Sequence, residues 1–146
     1  MPLFSNLYSF MQRIIESFKK HTFMHTLGAE LISAKEGEVI IEISFRDDLV
    51  QQHGFLHAGV VTTVVDTACG YAALTQMPEG AEVVTVEFKV NFMAPAVGEK
   101  FVAKGSVVRA GKTLTVTQGD VYAYSSETKK EKHIATMQAT MFCVLG

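Results

Sequence analysis

The chain has 146 residues, 48% of them hydrophobic and 19% charged, with a formal net charge of -2. That is enough apolar material for one domain with a sizeable core, and the near-neutral balance, with no basic stripe, argues against nucleic acid as the main partner. Two cysteines make neither a disulfide framework nor a metal set. Cys69 and Cys143 both sit in apolar runs, so both are expected to be reduced and buried, which suits the cytoplasm. The apolar runs fall far short of the roughly 20 residues that span a bilayer. The opening MPLFSNLYSFMQRIIESFKK lacks the basic segment, apolar core and small-residue cleavage site of an export signal.

From Asn6 to Lys20, Leu7, Phe10, Met11, Ile14, Ile15 and Phe18 fall on one stripe, with Gln12, Arg13, Glu16, Lys19 and Lys20 opposite. This spacing predicts an amphipathic helix, capped by Ser5 or Asn6. Such a helix serves as a lid or brace on the body or, as the alternative, as a membrane-surface anchor. Residues 1–22 are assigned to it and 23–146 to the core of a single domain. Phe23–Leu27 leads through Gly28 into Ala29–Lys35. Glu36-Gly37 supplies a turn, and Glu38–Phe45 alternates with Val39, Ile41, Ile43 and Phe45 on one face, which completes a hairpin.

Arg46–Phe55 is polar and loop-like and delivers the chain to its central stretch, GFLHAGVVTTVVDTACGYAA from Gly54 to Ala73. Gly59, Thr62, Thr63, Asp66, Gly70 and Ala73 recur at three- and four-residue intervals and share one small, partly polar face. Val60, Val61, Val64, Val65, Ala68, Tyr71 and Ala72 cover the rest, which predicts a helix buried nearly all round. A strand competes over Gly59–Val65, since Val and Thr are mediocre helix formers, but the whole stretch exceeds an ordinary strand of roughly 5–6 residues. The small face would let another backbone approach closely. Within it stands one carboxylate, Asp66. Burying such a group without partners costs several kcal/mol or forces it to protonate, so it must be paired or used.

Pro78, Glu79 and Gly80 end the helix. Val83–Phe92 reads as a strand, Thr85, Glu87, Lys89 and Asn91 alternating with Val84, Val86, Phe88, Val90 and Phe92. Phe101–Arg109 is a strand, Ala110-Gly111-Lys112 a tight turn and Thr113–Tyr124 the hairpin partner. A charged tip, Ser125–Lys132, precedes a last strand from His133 to about Leu145. Hairpins imply a predominantly antiparallel sheet, and a helix apolar on so many sides must be wrapped by it, an α+β arrangement.

Several chemistries are disfavoured by the motifs. His21 and His25, and His53 and His57, are spaced to share a helix face, but no Glu or third ligand accompanies them as a metalloprotease requires. There is no Gly-x-Ser-x-Gly elbow, P-loop or dinucleotide fingerprint. No metal or other cofactor is implied.

One constellation is specific. Gln51-x-x-Gly54-x-x-His57-Ala58-Gly59, then Asp66 and Gly70, then Thr85-Val86-Glu87-Phe88-x-x-x-Phe92-Met93-Ala94-Pro95-Ala96-x-Gly98 resembles the hot-dog-fold acyl-CoA thioesterases, in their phenylacetate-pathway branch. The resemblance runs from about Leu27 to the end. It implies a sheet wrapped round the central helix, and a site in which the Ala58 N–H polarises a thioester carbonyl while Asp66 acts as base or nucleophile. Ala58 and Asp66 lie eight positions apart, roughly 12 Å along a helix axis, so they cannot meet one carbonyl within one chain. The family's answer is a homodimer that pairs Ala58 of one subunit with Asp66 of another, commonly doubled into a tetramer.

The resemblance gives further roles. Gln51 stands where family members often carry Asn to orient water or substrate, and Ala58 replaces the first motif Gly. Thr85 matches a hydroxyl that holds the attacking water, although alternation alone puts it on an outward face. His57 orients the loop or carbonyl, or is simply a structural histidine at a helix start. Gly59 and Thr63 share the face of Asp66 and are assigned to substrate contact. Phe55 and Leu56, with Tyr71, Leu74 and the first helix, are candidates to line the acyl pocket. Lys89, Arg109 and Lys112 could meet coenzyme A phosphates or be ordinary solvated charge. The expected activity is hydrolysis of an aryl-, short- or medium-chain acyl-CoA. A hot-dog dehydratase or hydratase, a non-hydrolytic acyl-CoA-binding module and a purely structural dimer are the alternatives.

Overall fold

Short turns dictate most of the sheet. In the computed structural model, which describes the backbone of residues 2–146 and the side chains of residues 11–146, Glu36-Gly37 joins β1 (Glu30–Lys35) to β2 (Glu38–Ser44). Gly37 takes a φ of 78°, open to glycine without strain. Strand β3 (Ala81–Phe92) comes after the central helix, followed by β4 (Lys100–Ala110), β5 (Leu114–Ser125) and β6 (Lys130–Leu145). All neighbours pair antiparallel, in the order β1-β2-β4-β5-β6-β3. The charged tip is shorter than its composition predicted. Lys130, Glu131 and Lys132 pair with Ser125, Tyr124 and Ala123, because exposed charged side chains leave their backbone free to extend the ladder.

Among the described residues three α-helices accompany the sheet: α1 (Pro2–Lys19), α2 (Thr22–Leu27) and α3 (Ala58–Leu74). In α1, Ile14 and Phe18 are buried while Met11 is 46% exposed, so the apolar stripe is narrower than its spacing predicted. The expected caps Ser5 and Asn6, and the side chains of Leu7 and Phe10, lie outside the described side chains. His21 caps α2 by accepting the Met24 N–H at 3.4 Å, and Gly28 (φ 70°) ends it. Among the described residues, no helix is long and apolar enough to cross a membrane.

The concave side of the sheet holds α3, and glycine decides how closely. A Cβ on Gly105 of β4 would come within 2.4 Å of the Ala68 backbone, and one on Gly119 of β5 within 2.5 Å of Val65. The helix therefore rests directly on the strands through Val61, Val64, Val65, Ala68 and Cys69, all buried. The small residues that permit this approach lie mainly in the sheet, not on the small face of the helix as expected. That face is instead open over its first half: Ala58 and Gly59 are exposed, and Thr62, Thr63 and Asp66 are half-buried. We expect Gly105→Ala to lift α3 off its floor, costing about 2–3 kcal/mol as overpacking does. This would read as a fall in Tm of roughly 5–10 °C at this chain length; an unchanged melt would contradict the close approach.

Both cysteines are free and buried as expected. Burial pushes the Cys69 thiol up to about 12, with the Thr117 hydroxyl opposing it, so this side chain is inert packing.

Strand β3 departs from simple alternation. A bulge between Thr85 and Glu87 inserts Val86 as an extra residue. Thr85 pairs with the inward Met141, but after the bulge Phe88 pairs with the inward Ala139 and Glu87 with Thr140 of the convex face. Thr85 therefore shares the concave side with Phe88, Val90 and Phe92, not with Glu87, Lys89 and Asn91 as the period of two predicted. The strand lies at the sheet edge, and its Val84, Val86, Phe88 and Phe92 are 42–55% exposed.

Candidate active site

The mouth of α3 is built by its preceding loop. Val50 bridges Leu56, the Leu56 N–H donates to the Ala96 carbonyl at 3.2 Å, and the His57 N–H to the Leu49 carbonyl at 2.9 Å. The Pro95–Gly98 element thus pins the loop, and Gly98 is needed beneath it because a Cβ there would lie 2.7 Å from the Tyr124 carbonyl. Gln51 turns its side-chain carbonyl onto the N–H groups of His53 and Phe55, holding the loop from within.

His57 is the N-cap of α3. Its Nδ1 accepts the Gly59 N–H at 2.7 Å, which places the ring proton of the neutral imidazole on Nε2. A side chain on residue 59 would collide with this ring, since a Cβ there would come 2.9 Å from Nδ1. With the Gly59 N–H taken by His57, the exposed first helical residue, Ala58, keeps an N–H that meets no acceptor among the described residues. That donor sits at the positive end of the helix dipole. Ala58 is helical, so the absence of the motif glycine carries no backbone strain there.

Two turns along the same helix, Asp66 faces β3. Its Oδ1 accepts the Thr85 hydroxyl at 2.8 Å, and no cation pairs with it among the described residues. Partial burial pushes its carboxyl above the ordinary value of 3.8, while the Thr85 hydrogen bond pulls the other way. A half-buried carboxylate with one hydrogen bond and no counter-charge is the kind of group that serves as a base.

The expected site residues form two clusters. Asp66 and Thr85 line a cavity of about 260 Å³ together with Thr67, Gly70 and Tyr71. Gln51, Phe55, Leu56 and Ala58 line a second, of about 170 Å³, beside Phe92 and Pro95. Gly59 and Thr63 lie on the open helix face between them, the Thr63 hydroxyl donating to the Gly59 carbonyl at 2.8 Å. Lys89, Arg109 and Lys112 join neither cluster: Lys89 points from the convex face beside Gln138, and Arg109 and Lys112 stand exposed at the far hairpin. The first helix was a candidate to line the pocket, and Ser17 and His21, which sequence reasoning did not single out for it, bring the arm to the Asp66 cavity. The polar side of an amphipathic helix gives no signal that it will face a cavity.

A family model described as "Thioesterase superfamily" matches residues 53–142, which include the helix mouth, Asp66 and Thr85. The chain belongs to the thioesterase superfamily. Human acyl-coenzyme A thioesterase 13 is 33% identical over 114 residues, covering 76% of this chain and 81% of the relative. A putative esterase of Saccharolobus solfataricus is 31% identical over 109 residues, covering 74% and 77%. Among solved structures, a thioesterase family protein from Silicibacter pomeroyi superposes with a TM-score of 0.90 at 47% identity, covering 92% of this chain and 98% of that one. The E. coli PaaI protein of the phenylacetic acid degradation operon superposes at 0.81 with 20% identity over 92% and 93%, a likeness of fold. The architecture is the hot-dog fold, and this thioesterase is a thioester hydrolase.

Proposed function

We propose that the protein hydrolyses acyl-CoA thioesters at a site shared by two copies of the chain. Asp66 of one copy takes a proton from water as its oxygen attacks the carbonyl carbon. The Ala58 N–H of the other copy receives the developing oxyanion, the C–S bond breaks, and coenzyme A leaves as a thiolate that is then protonated. The observation that carries this reading is the separation on one helix of an unpaired, half-buried carboxylate and an unused N–H. They are roughly 12 Å apart by helical rise and both lie on the open face of α3. A second copy of the same face, turned about a two-fold axis, sets each Asp66 beside the other Ala58. The exposed apolar edge of β3 supports the pairing, because a long unpaired edge strand of this kind is a ready template for another chain. The convex ladder Val84–Phe142–Leu114 offers a second apolar surface for the dimers to double into a tetramer.

Thr85 holds Asp66, and with it the attacking water, from the strand side. Gln51 and His57 act on the loop that presents Ala58. Phe55, Leu56, Gly59 and Thr63 line the channel from the mouth to the carboxylate. Coenzyme A phosphates fall to whichever of Lys89, Arg109 and Lys112 the assembled dimer brings near. The similarity to human acyl-coenzyme A thioesterase 13 supports the substrate class. The test is free-thiol release from aryl-, short- and medium-chain acyl-CoAs, with sedimentation to read the oligomer. Turnover by a dimer or tetramer is expected; tight acyl-CoA binding without thiol release would overturn the hydrolytic reading in favour of a binding module.

A further inference from the structure

The arm that carries α1 packs Ile14 and Phe18 into the core, and it is latched to the body by Arg13. The Arg13 guanidinium donates to three main-chain carbonyls, Met77 at 3.0 Å, Pro78 at 2.9 Å and Ala81 at 3.0 Å, where α3 gives way to β3. These bonds use the fork of the side chain in a way no other residue type reproduces. One helical turn on, the Ser17 hydroxyl meets the Tyr71 hydroxyl at 3.1 Å. Phe18 and His21 flank the same ring, with centroids 6.2 and 6.3 Å away. Ser17 and Tyr71 both line the 260 Å³ cavity of Asp66. On the other side of Ser17 lies a wider depression of about 970 Å³, which shares Ser17, His21, Leu74 and Glu82 with that cavity.

We propose that the Ser17–Tyr71 contact is a gate that ends the acyl cavity, and that Arg13 is the positioning residue that keeps it shut and so limits acyl length. The inference rests on the reading that the thioester is held at Asp66. From there Tyr71 is five residues along α3, about 7.5 Å by helical rise, which admits a short chain or a single ring. A longer chain must pass Ser17 into the depression, and it can do so only if the arm swings away. The arm is held to the core by Ile14 and Phe18, and the Arg13 latch is its polar tie to the α3–β3 junction.

The experiment compares wild type with Arg13→Met, which keeps the stem but loses all three carbonyl bonds, and with Ser17→Ala, which cuts the gate bond and leaves the latch. Thiol release from butyryl- and lauroyl-CoA gives the length ratio in kcat/KM, and calorimetry with the corresponding S-alkyl-CoA thioethers gives the same ratio for binding alone. For Arg13→Met, the lauroyl-to-butyryl ratio is expected to rise at least tenfold through a lower lauroyl KM, while butyryl kcat stays within about twofold. Ser17→Ala is expected to move the ratio the same way by a smaller factor. A ratio unchanged within twofold in both folded variants overturns the gate. If neither substrate releases thiol but the thioether ratio shifts, the hydrolytic reading fails and the gate stands; if thiol is released but neither ratio shifts, the reverse holds.

Discussion

Asp66→Asn is expected to lower kcat/KM for the best acyl-CoA by about 10²–10⁴, the usual weight of a positioned base, while dimerisation persists. Asparagine keeps the shape and can still accept the Thr85 hydroxyl, which stands 2.8 Å away, so only basicity is lost. The wild-type pH profile carries the same signature. Burial places the Asp66 carboxyl above 3.8, so the acid limb of kcat/KM is expected above that pH, and Thr85→Ala should move it further up by removing the hydrogen bond that favours the charged form. Equal turnover by Asp66→Asn, measured by thiol release, would mean that the chemistry lies elsewhere.

The same shift makes a stability statement. A carboxyl whose folded pKa is raised contributes stability that is fully present below its unfolded pKa and is lost as pH rises through the folded one. At neutral pH the ionised Asp66 therefore weakens the fold relative to asparagine. The Tm advantage of Asp66→Asn should be greatest at neutral pH, shrink as pH falls through the folded pKa, and vanish below the unfolded value. Stability given up for an ionised group at this position accords with a residue kept for activity.

The helix–hairpin order, the antiparallel sheet and the central helix were legible in the sequence because each rests on a local signal: Glu36-Gly37, the alternation of Glu38–Phe45, the long apolar run to Leu74. Asp66 stood out for the opposite reason, as a local violation that a packed interior does not tolerate unless the group is paired or used. Thr85 shows where local reading stops. Its face is set by one extra residue, Val86, and a period-two pattern cannot register a bulge whose flanking residues are all strand formers. Two glycines went unread for a related reason. Gly105 and Gly119 fall in strands far along the chain, and only the fold reveals that they make the bed on which α3 lies. The arm is the same kind of case, since Arg13 finds its carbonyls more than sixty residues away.

Subunit complementation should give the second large effect. Ala58→Pro is a mild change to the fold, since residue 58 is the first helical position, where proline's fixed φ suits the helix and its missing N–H was unpaired in any case. The residue before it, His57, already has φ -61° and ψ 136°, the extended geometry that proline demands of its predecessor. The variant thus removes the proposed oxyanion donor and little else, and its homodimer should lose about 10²–10³ in kcat. Mixed with Asp66→Asn subunits, however, each heterodimer has one site that carries both lesions and one that carries neither. Random assortment from equal amounts makes about half the dimers mixed, so activity should recover to about a quarter of wild type. Two variants almost inactive alone and active together cannot arise if Ala58 and Asp66 serve one substrate within a single chain. Folded, verified mixed dimers that stay inactive would break the shared site, and the proposed alignment of carbonyl, water and carboxylate with it.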